Sequence, residues 1–314
     1  MGKGIETGEL NVVTGAFGFT GKYITRRLLA EGKRILTLTG HPHRENPFGD
    51  RISVAPFNFD DPDALAASLR GASVLFNSYW IRFPRGPITY ELATKNSKTL
   101  IRAARDAGVR RIVHISIANP SKDSPFPYYR GKAMVEEAII ASSIPYAILR
   151  PTVIFGTEGI LINNIAWLLR HFPVFAIPGS GNYRLQPVYV EDVAETAVRA
   201  ADADSEASTM STIVDAAGPE VYSYNELVYL LAVAVGSHAR VVHLPPRLTL
   251  VLSGLVGLAL RDVVLTRDEL EGLMANLLVS NGPSAGKTRL SDWVAQHADQ
   301  LGTSYESELG RHYR

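Results

Sequence analysis

No cysteine occurs anywhere in the 314 residues, which removes disulfides, thiolate nucleophiles and thiolate metal sites together. A dominant charge is equally missing. Lysine and arginine number 32 against 31 acidic residues, for a net charge of +1. The chain therefore carries no footprint for nucleic acid, and any charged ligand must be met locally. Long apolar runs are also wanting. The most apolar window, LTLVLSGLVGLAL from Leu248 to Leu260, is too short to cross a bilayer before Arg261 and Asp262 interrupt it. A buried or interface helix is expected there, with no integral membrane segment. The opening MGKGIETGE has no long apolar stretch and so no secretory signal, which makes a cytoplasmic location the expectation.

What the chain does contain is core-forming material, 46% hydrophobic against 20% charged residues, enough for one or two domains. Its first half alternates short apolar runs with amphipathic segments: LNVVTG, GKYITRRLLAEG, RILTLTG, DPDALAASLRG, SVLFNS, KTLIRAARDAGV, RIVHIS, KAMVEEAIIASS and YAILRPTVIFG. This βαβα rhythm predicts a parallel sheet of at least six strands with helices on its faces. Beyond Pro151 the rhythm loosens into helical segments with proline-rich joints such as HLPPRL, read as a smaller, mostly helical lobe, with STIVDAAG as a strand returning to the sheet.

Gly15, Gly18 and Gly21 stand in a G-x-x-G-x-x-G pattern between the first apolar run and the first amphipathic one. A strand-to-helix turn, a close approach of pyrophosphate to backbone and a tight helix–sheet contact all exclude side chains there. The loop TGAFGFTG, including Phe17, Phe19 and Thr20, therefore reads as a dinucleotide cradle at a helix N-terminus. At the end of the second strand HPHR offers His41, His43 and Arg44 and no carboxylate. That composition suits the 2′-phosphate of NADP better than the free ribose of NAD, although NAD stays open and a plain polar loop is the bland alternative. In PYYRGK, Tyr128 and Lys132 are four residues apart and so share one helix face; they are either a phenol and ammonium reaching into one cleft or ordinary helix packing.

These segments, in this order, together with NFDDPDAL, VLFNS and YRLQPVYVEDVAE, resemble the extended or atypical short-chain dehydrogenases/reductases. The likeness is nearest to the NAD(P)-binding, epimerase/dehydratase-like group that includes the NADPH-holding accessory subunit of respiratory complex I. It covers Leu10 to Ala200 strongly and the rest loosely. The resemblance implies a Rossmann doubly wound parallel sheet of about seven strands over residues 8–156, with returning segments near 184–218, and a substrate lobe over 157–183 and 219–314. It implies Asp60 near the adenine, Asn77 and Ser78 near the adenosine ribose or diphosphate, and Pro151 to Val153 near the nicotinamide. It also implies Tyr128 as the acid/base and Lys132 as the residue that lowers its pKa and holds the nicotinamide ribose. Ser116, twelve residues before Tyr128, is either the catalytic hydroxyl or a strand-end hydrogen bond. Two places depart from the pattern: the pair Ile117 and Ala118 stands where the group carries Ser or Thr, and Gly40 where a basic residue is common.

A substrate site is suggested by SYWIRFPRG, where Tyr79, Trp80 and Phe83 mix with Arg82 and Arg85; these suit a planar or anionic small molecule. The same loop could pack on a neighbouring subunit, which allows a homo-oligomer. Asn163, Asn164 and Arg184 fall where extended members place substrate contacts. Three patterns carry less. NGPSAGKT has three residues between its glycines where a P-loop needs four, His41 and His43 lack further metal ligands, and Asp192 lacks a nucleophile elbow for a triad. No metal is expected. The first functional expectation is an NAD(P)-dependent oxidoreductase or epimerase/dehydratase-like enzyme acting on a small carbonyl or alcohol. The alternative is an NADPH-holding sensor or assembly module without turnover.

Overall fold

Apolar five- and six-residue runs fold as buried strands, and the segments between them, apolar on one face, fold as helices. The computed structural model describes residues 8–201 and 210–312, and the chain divides into two compact units, residues 1–150 with 193–214 and residues 151–192 with 215–314. The first unit begins β1 (Leu10–Thr14), α1 (Phe19–Ala30), β2 (Arg34–Thr39), β3 (Ser53–Pro56), α2 (Pro62–Leu69), β4 (Ala72–Asn77), α3 (Tyr90–Asp106), β5 (Arg111–Ile115), α4 (Pro127–Ile140) and β6 (Tyr146–Pro151). The second supplies β7 (Val153–Phe155), α5 (Ile160–His171), β8 (Val174–Pro178), β9 (Arg184–Leu185) and β10 (Pro187–Tyr189). The chain then passes through α6 (Val190–Arg199) and β11 (Thr212–Ala216) before β12 (Tyr222–Ser223), α7 (Tyr224–Ala234), β13 (Arg240–Leu244), α8 (Pro246–Leu260), α9 (Arg267–Met274), α10 (Leu290–His297) and α11 (Glu308–His312).

The central sheet has seven strands in the order β11-β6-β5-β4-β1-β2-β3, and β3 through β6 pair in parallel register, with Val12 opposite Leu36 on one side and Leu75 on the other. Strand order reverses between β1 and β4, which opens a crevice beyond their carboxyl ends. Every residue of β4 and β5 is buried, because helices cover both faces of a parallel sheet. Leu65, Leu69, Leu75, Leu100, Ile112, Ile139 and Ile148 form its core. Asp61 caps α2 by accepting the Ala64 N–H, with Pro62 at the first helical position, as Asp-Pro-Asp predicts.

The second unit has its own core, built on Phe155, Ile162, Leu185, Leu227, Leu231 and Trp293, beneath small two-stranded pairings β10-β7, β12-β9 and β13-β8. The boundary falls after Arg150, six residues before the expected position, and 184–192 lies with the second unit. The apolar window 248–260 does form a helix, α8, but only part of it is covered. Thr249 and Gly257 are buried, whereas Leu248, Val251, Leu252, Leu255 and Leu258 are 39 to 78% exposed.

Candidate dinucleotide site

The glycine loop is set by contacts at both of its ends. Gly15 leaves β1 with φ +68, in the left-handed region that favours glycine, and its N–H donates to the Leu38 carbonyl at 3.0 Å. The Ala16 N–H donates to Thr37 Oγ1, which itself donates to the Val13 carbonyl, so the start of the loop is tied to β2. Gly18 donates to the Gly15 carbonyl and accepts from the Lys22 N–H as the N-cap of α1. A Cβ on Gly18 would lie 3.2 Å from the Gly15 oxygen, and one on Gly21 only 2.2 Å from it. The first of these glycines keeps the mouth of the loop bare; the second lets α1 touch the turn. No side chain caps the first turn of α1, and its amide dipoles are suited to a diphosphate.

Across the crevice Thr14 Oγ1 accepts the N–H groups of Ser78 at 2.8 Å and Tyr79 at 3.0 Å, and Ser78 Oγ donates to the Thr14 carbonyl at 2.6 Å. These bonds bind the ends of β1 and β4 and place Ser78 3.5 Å from where a Cβ on Gly15 would stand. Asn77 is fully buried, and its Nδ2, like His114 Nε2, has no hydrogen-bond partner among the described residues. His114 Nδ1 lies 3.1 Å from the Asn77 carbonyl. Burial, and secondarily the charge of Lys132, hold His114 well below its ordinary pKa, so the ring is neutral.

On α4, Lys132 is 3% exposed. Its ammonium donates to the Ile115 carbonyl at 2.8 Å and lies 4.9 Å from the centroid of the Trp80 ring. Burial lowers its pKa to about 7, against the opposing pull of Glu136. Trp80 reaches this position because Gly131 has no side chain; a Cβ there would come within 2.7 Å of the indole. Tyr128, half-buried, sets its ring edge-on to Trp80 and Tyr90 at 5.9 and 5.8 Å. Tyr129 is buried and packs on Phe126. The Ser116 hydroxyl is already engaged, donating to Glu136, whose two oxygens are also held by Arg150 Nε at 3.1 Å and a terminal guanidinium nitrogen at 2.6 Å.

The other expected residues are dispersed. His41 and Arg44 are exposed in a turn just past β2, where the Arg44 N–H donates to the His41 carbonyl, and Asp60 is exposed between β3 and α2. Tyr79 packs against the stacked pair Phe57 and Phe59, and its hydroxyl accepts from Asn96. The Arg82 guanidinium lies over Phe83, and Arg85 makes a two-way backbone bridge with Ile88. Pro151 closes β6 and Val153 opens β7, and both belong to the second unit. So do Asn163, Asn164 and Arg184. The asparagines hold the backbone of Gly302, Ser304 and Glu306, and the Arg184 N–H donates to Asn276. In the NGPSAGKT segment, the N–H groups of Lys287 and Thr288 bind the Asp192 carboxylate, which gives that acid a structural task. No His, Asp or Glu group with metal-site geometry occurs among the described residues. Sequence reasoning missed the Glu136–Arg150 pair and the inward turn of Trp80. The visible signal for the first was a glutamate four positions after Lys132, on the same buried face.

Residues 15–166 match a family model described as NAD(P)H-binding. The chain is 29% identical over 252 residues to subunit 9 of the NADH dehydrogenase 1 alpha subcomplex of Arabidopsis thaliana, covering 78% of this chain and 62% of that protein. It is 27% identical over 242 residues to the Mus musculus counterpart, covering 72% and 61%. The match thus spans about three fifths of the length of these relatives. Among solved structures, an NADPH-dependent quinone oxidoreductase of Escherichia coli in complex with NADPH superposes with a TM-score of 0.71 at 20% identity, covering 91% of this chain and 99% of that one. A nucleoside-diphosphate-sugar epimerase of Staphylococcus aureus gives 0.70 at 16% identity, covering 95% and 99%. These two likenesses are of fold.

Proposed function

We propose, from the match of residues 15–166 to an NAD(P)H-binding family and the homology of the chain to subunit 9 of the NADH dehydrogenase 1 alpha subcomplex, that this protein holds NADPH without turning it over. The observation that carries the second half is the fate of Ser116. A proton relay through Tyr128 needs a neighbouring hydroxyl that can face the reacting group. Here that hydroxyl donates to a buried carboxylate fixed by Arg150. Lys132 likewise spends its charge on the Ile115 carbonyl and the Trp80 face.

Holding the dinucleotide asks less of the site. The bare turn from Gly15 to Gly18 and the first turn of α1 receive the diphosphate, and Ser78 Oγ borders that turn. His41 and Arg44 bring positive charge to the end of β2, where the ribose 2′-phosphate of NADPH is met in this fold. Bound nicotinamide would supply a hydride, and a second reading, a reductase of small carbonyls or quinones, keeps Tyr128 as its proton donor. That reading is favoured by one observation, the half-exposed position of Tyr128 at the start of α4.

The readings separate in one set of measurements on the full chain. Fluorescence titration is expected to show tighter binding of NADPH than of NADH, with the difference reduced in Arg44→Ala. Bound NADPH is expected to persist when quinones, aldehydes and nucleotide sugars are added, in wild type and in Tyr128→Phe alike. Substrate-dependent oxidation of NADPH that fell about 10²- to 10⁴-fold in Tyr128→Phe, the range for general acid–base catalysis, would replace the holding function with the reductase.

A further inference from the structure

Helix α8 has a solvent face that a water-facing helix should not have. Between Leu248 and Leu260 there is no charged side chain, and Val251, Leu255 and Leu258 are 61, 61 and 78% exposed, with Leu248 and Leu252 beside them. Spacings of three and four place these five side chains on one stripe. The opposite side, through Thr249 and Gly257, packs on the second unit; the Gly257 backbone comes so close to the Asp262 carbonyl that a Cβ would lie 2.6 Å from it. The helix is therefore anchored, with its apolar stripe turned outward. Other exposed apolar side chains of the same unit, Tyr229 at 72% and Val233 at 63% on α7 and Val241 at 42% on β13, line a groove of their own.

Exposed charge along the helix has one sign, with Glu226 and the buried Asp262 just outside the segment. From Leu227 to Arg261 the sequence carries three arginines, two histidines and no acid, with Arg247 and Arg261 at the two ends of the stripe, both exposed. A second copy pairing through this face in a two-fold contact would set these arginines against each other with no acid of the segment between them. For the stripe itself a protein partner fits less well, since its five side chains are Leu and Val, types under-used as anchoring contacts between proteins. Fifteen residues, about 22 Å of helix, are also too short to span a bilayer, and no described helix is long and apolar enough to do so. An aliphatic stripe between cationic ends matches a helix that lies in the plane of an anionic lipid surface. We propose that α8 docks this protein on such a surface, with Leu248, Val251, Leu252, Leu255 and Leu258 inserted and Arg247 and Arg261 among the headgroups.

The test is flotation of the full chain with vesicles of phosphatidylcholine alone and of phosphatidylcholine mixed with phosphatidylglycerol. The expected result is flotation with the anionic vesicles, weakened by salt, and reduced at least about tenfold in Leu255→Glu and further in Leu255→Glu/Leu258→Glu. Both side chains are exposed, so the variants should keep the wild-type melting temperature and NADPH affinity. Ile140→Glu, an exposed apolar position on α4, is expected to float like wild type. Absence of the chain from both vesicle fractions, equal flotation with neutral vesicles, or undiminished flotation of the double variant would each overturn the proposal. So would a dimer in sedimentation that Leu255→Glu/Leu258→Glu disperses while vesicles bind neither form, since the face would then join copies.

Discussion

Lys132 pays for its position with its charge. An ammonium that is free to hydrate titrates near ~10.4, whereas burial beneath Trp80 brings this one to about 7. Between those two values the unfolded chain binds a proton that the folded chain has released, so folding becomes more favourable as pH rises. Below about 7 both states carry the proton and the folded state bears the whole cost. Wild type should therefore gain stability relative to Lys132→Met as pH is raised from about 7 towards 10, by at most about 1.4 kcal/mol per pH unit. Urea denaturation of both proteins across that range measures it. A constant difference between the two would mean that the lysine is not desolvated in solution. His114, neutral and in contact with Asn77 on the adjacent strand, adds no competing titration between pH 7 and 10.

At the level of the element, two glycines of one loop have separate duties. In Gly21→Ala the new methyl would meet the Gly15 carbonyl at 2.2 Å, so α1 must move off the turn, at a cost of about 2 kcal/mol visible as a lower melting temperature. Gly18 has φ −82 and ψ 173, extended backbone that any residue adopts. Gly18→Val should leave a folded protein, its melting temperature lowered less than in Gly21→Ala, while abolishing detectable NADPH binding in fluorescence titration, because its branches fill the mouth of the loop. A variant that still bound NADPH would make the turn a packing device only. The strand–helix rhythm, the glycine turn and the placement of Tyr128 and Lys132 on one helix were legible in the sequence, since each is local. What was illegible depends on partners distant in sequence. Ser116 could be seen as a hydroxyl at a strand end, but its engagement by Glu136 and Arg150 requires β5, α4 and β6 to be packed together. Tyr79 and Trp80 are adjacent in a loop that reads as a substrate site or a subunit contact, yet one turns to Phe57 and Phe59 and the other to Lys132. Helix α8, expected as a buried or interface helix, left one thing unread for a different reason: apolar composition does not separate the two, and only the fold tells which side of a helix is left uncovered.

For the whole molecule, the order of strands matters as much as their number. β11 completes the seven-stranded sheet beside β6, although sixty residues of sequence separate the two. Buried Arg111, at the start of β5, reaches the same late segment, donating to the Ala200 carbonyl at 2.6 Å, and Arg27 on α1 pairs with Glu195 on α6. A fragment ending at residue 166 would contain the whole NAD(P)H-binding match and still leave β6 as an open edge, with Arg111 deprived of its acceptor. It should aggregate on expression where the full chain stays soluble, as measured by the soluble fraction after lysis. The same arrangement sets a timetable during synthesis. A nascent chain that has emerged through β6 cannot yet close its first unit, because α6 and β11 are still to be translated, and residues 151–192 of the second unit come out first. That second unit must in turn wait for everything after β11. Each half therefore spends part of translation incomplete while the other is being made, and the interval when the β6 edge stands open is when a chaperone would have most to protect.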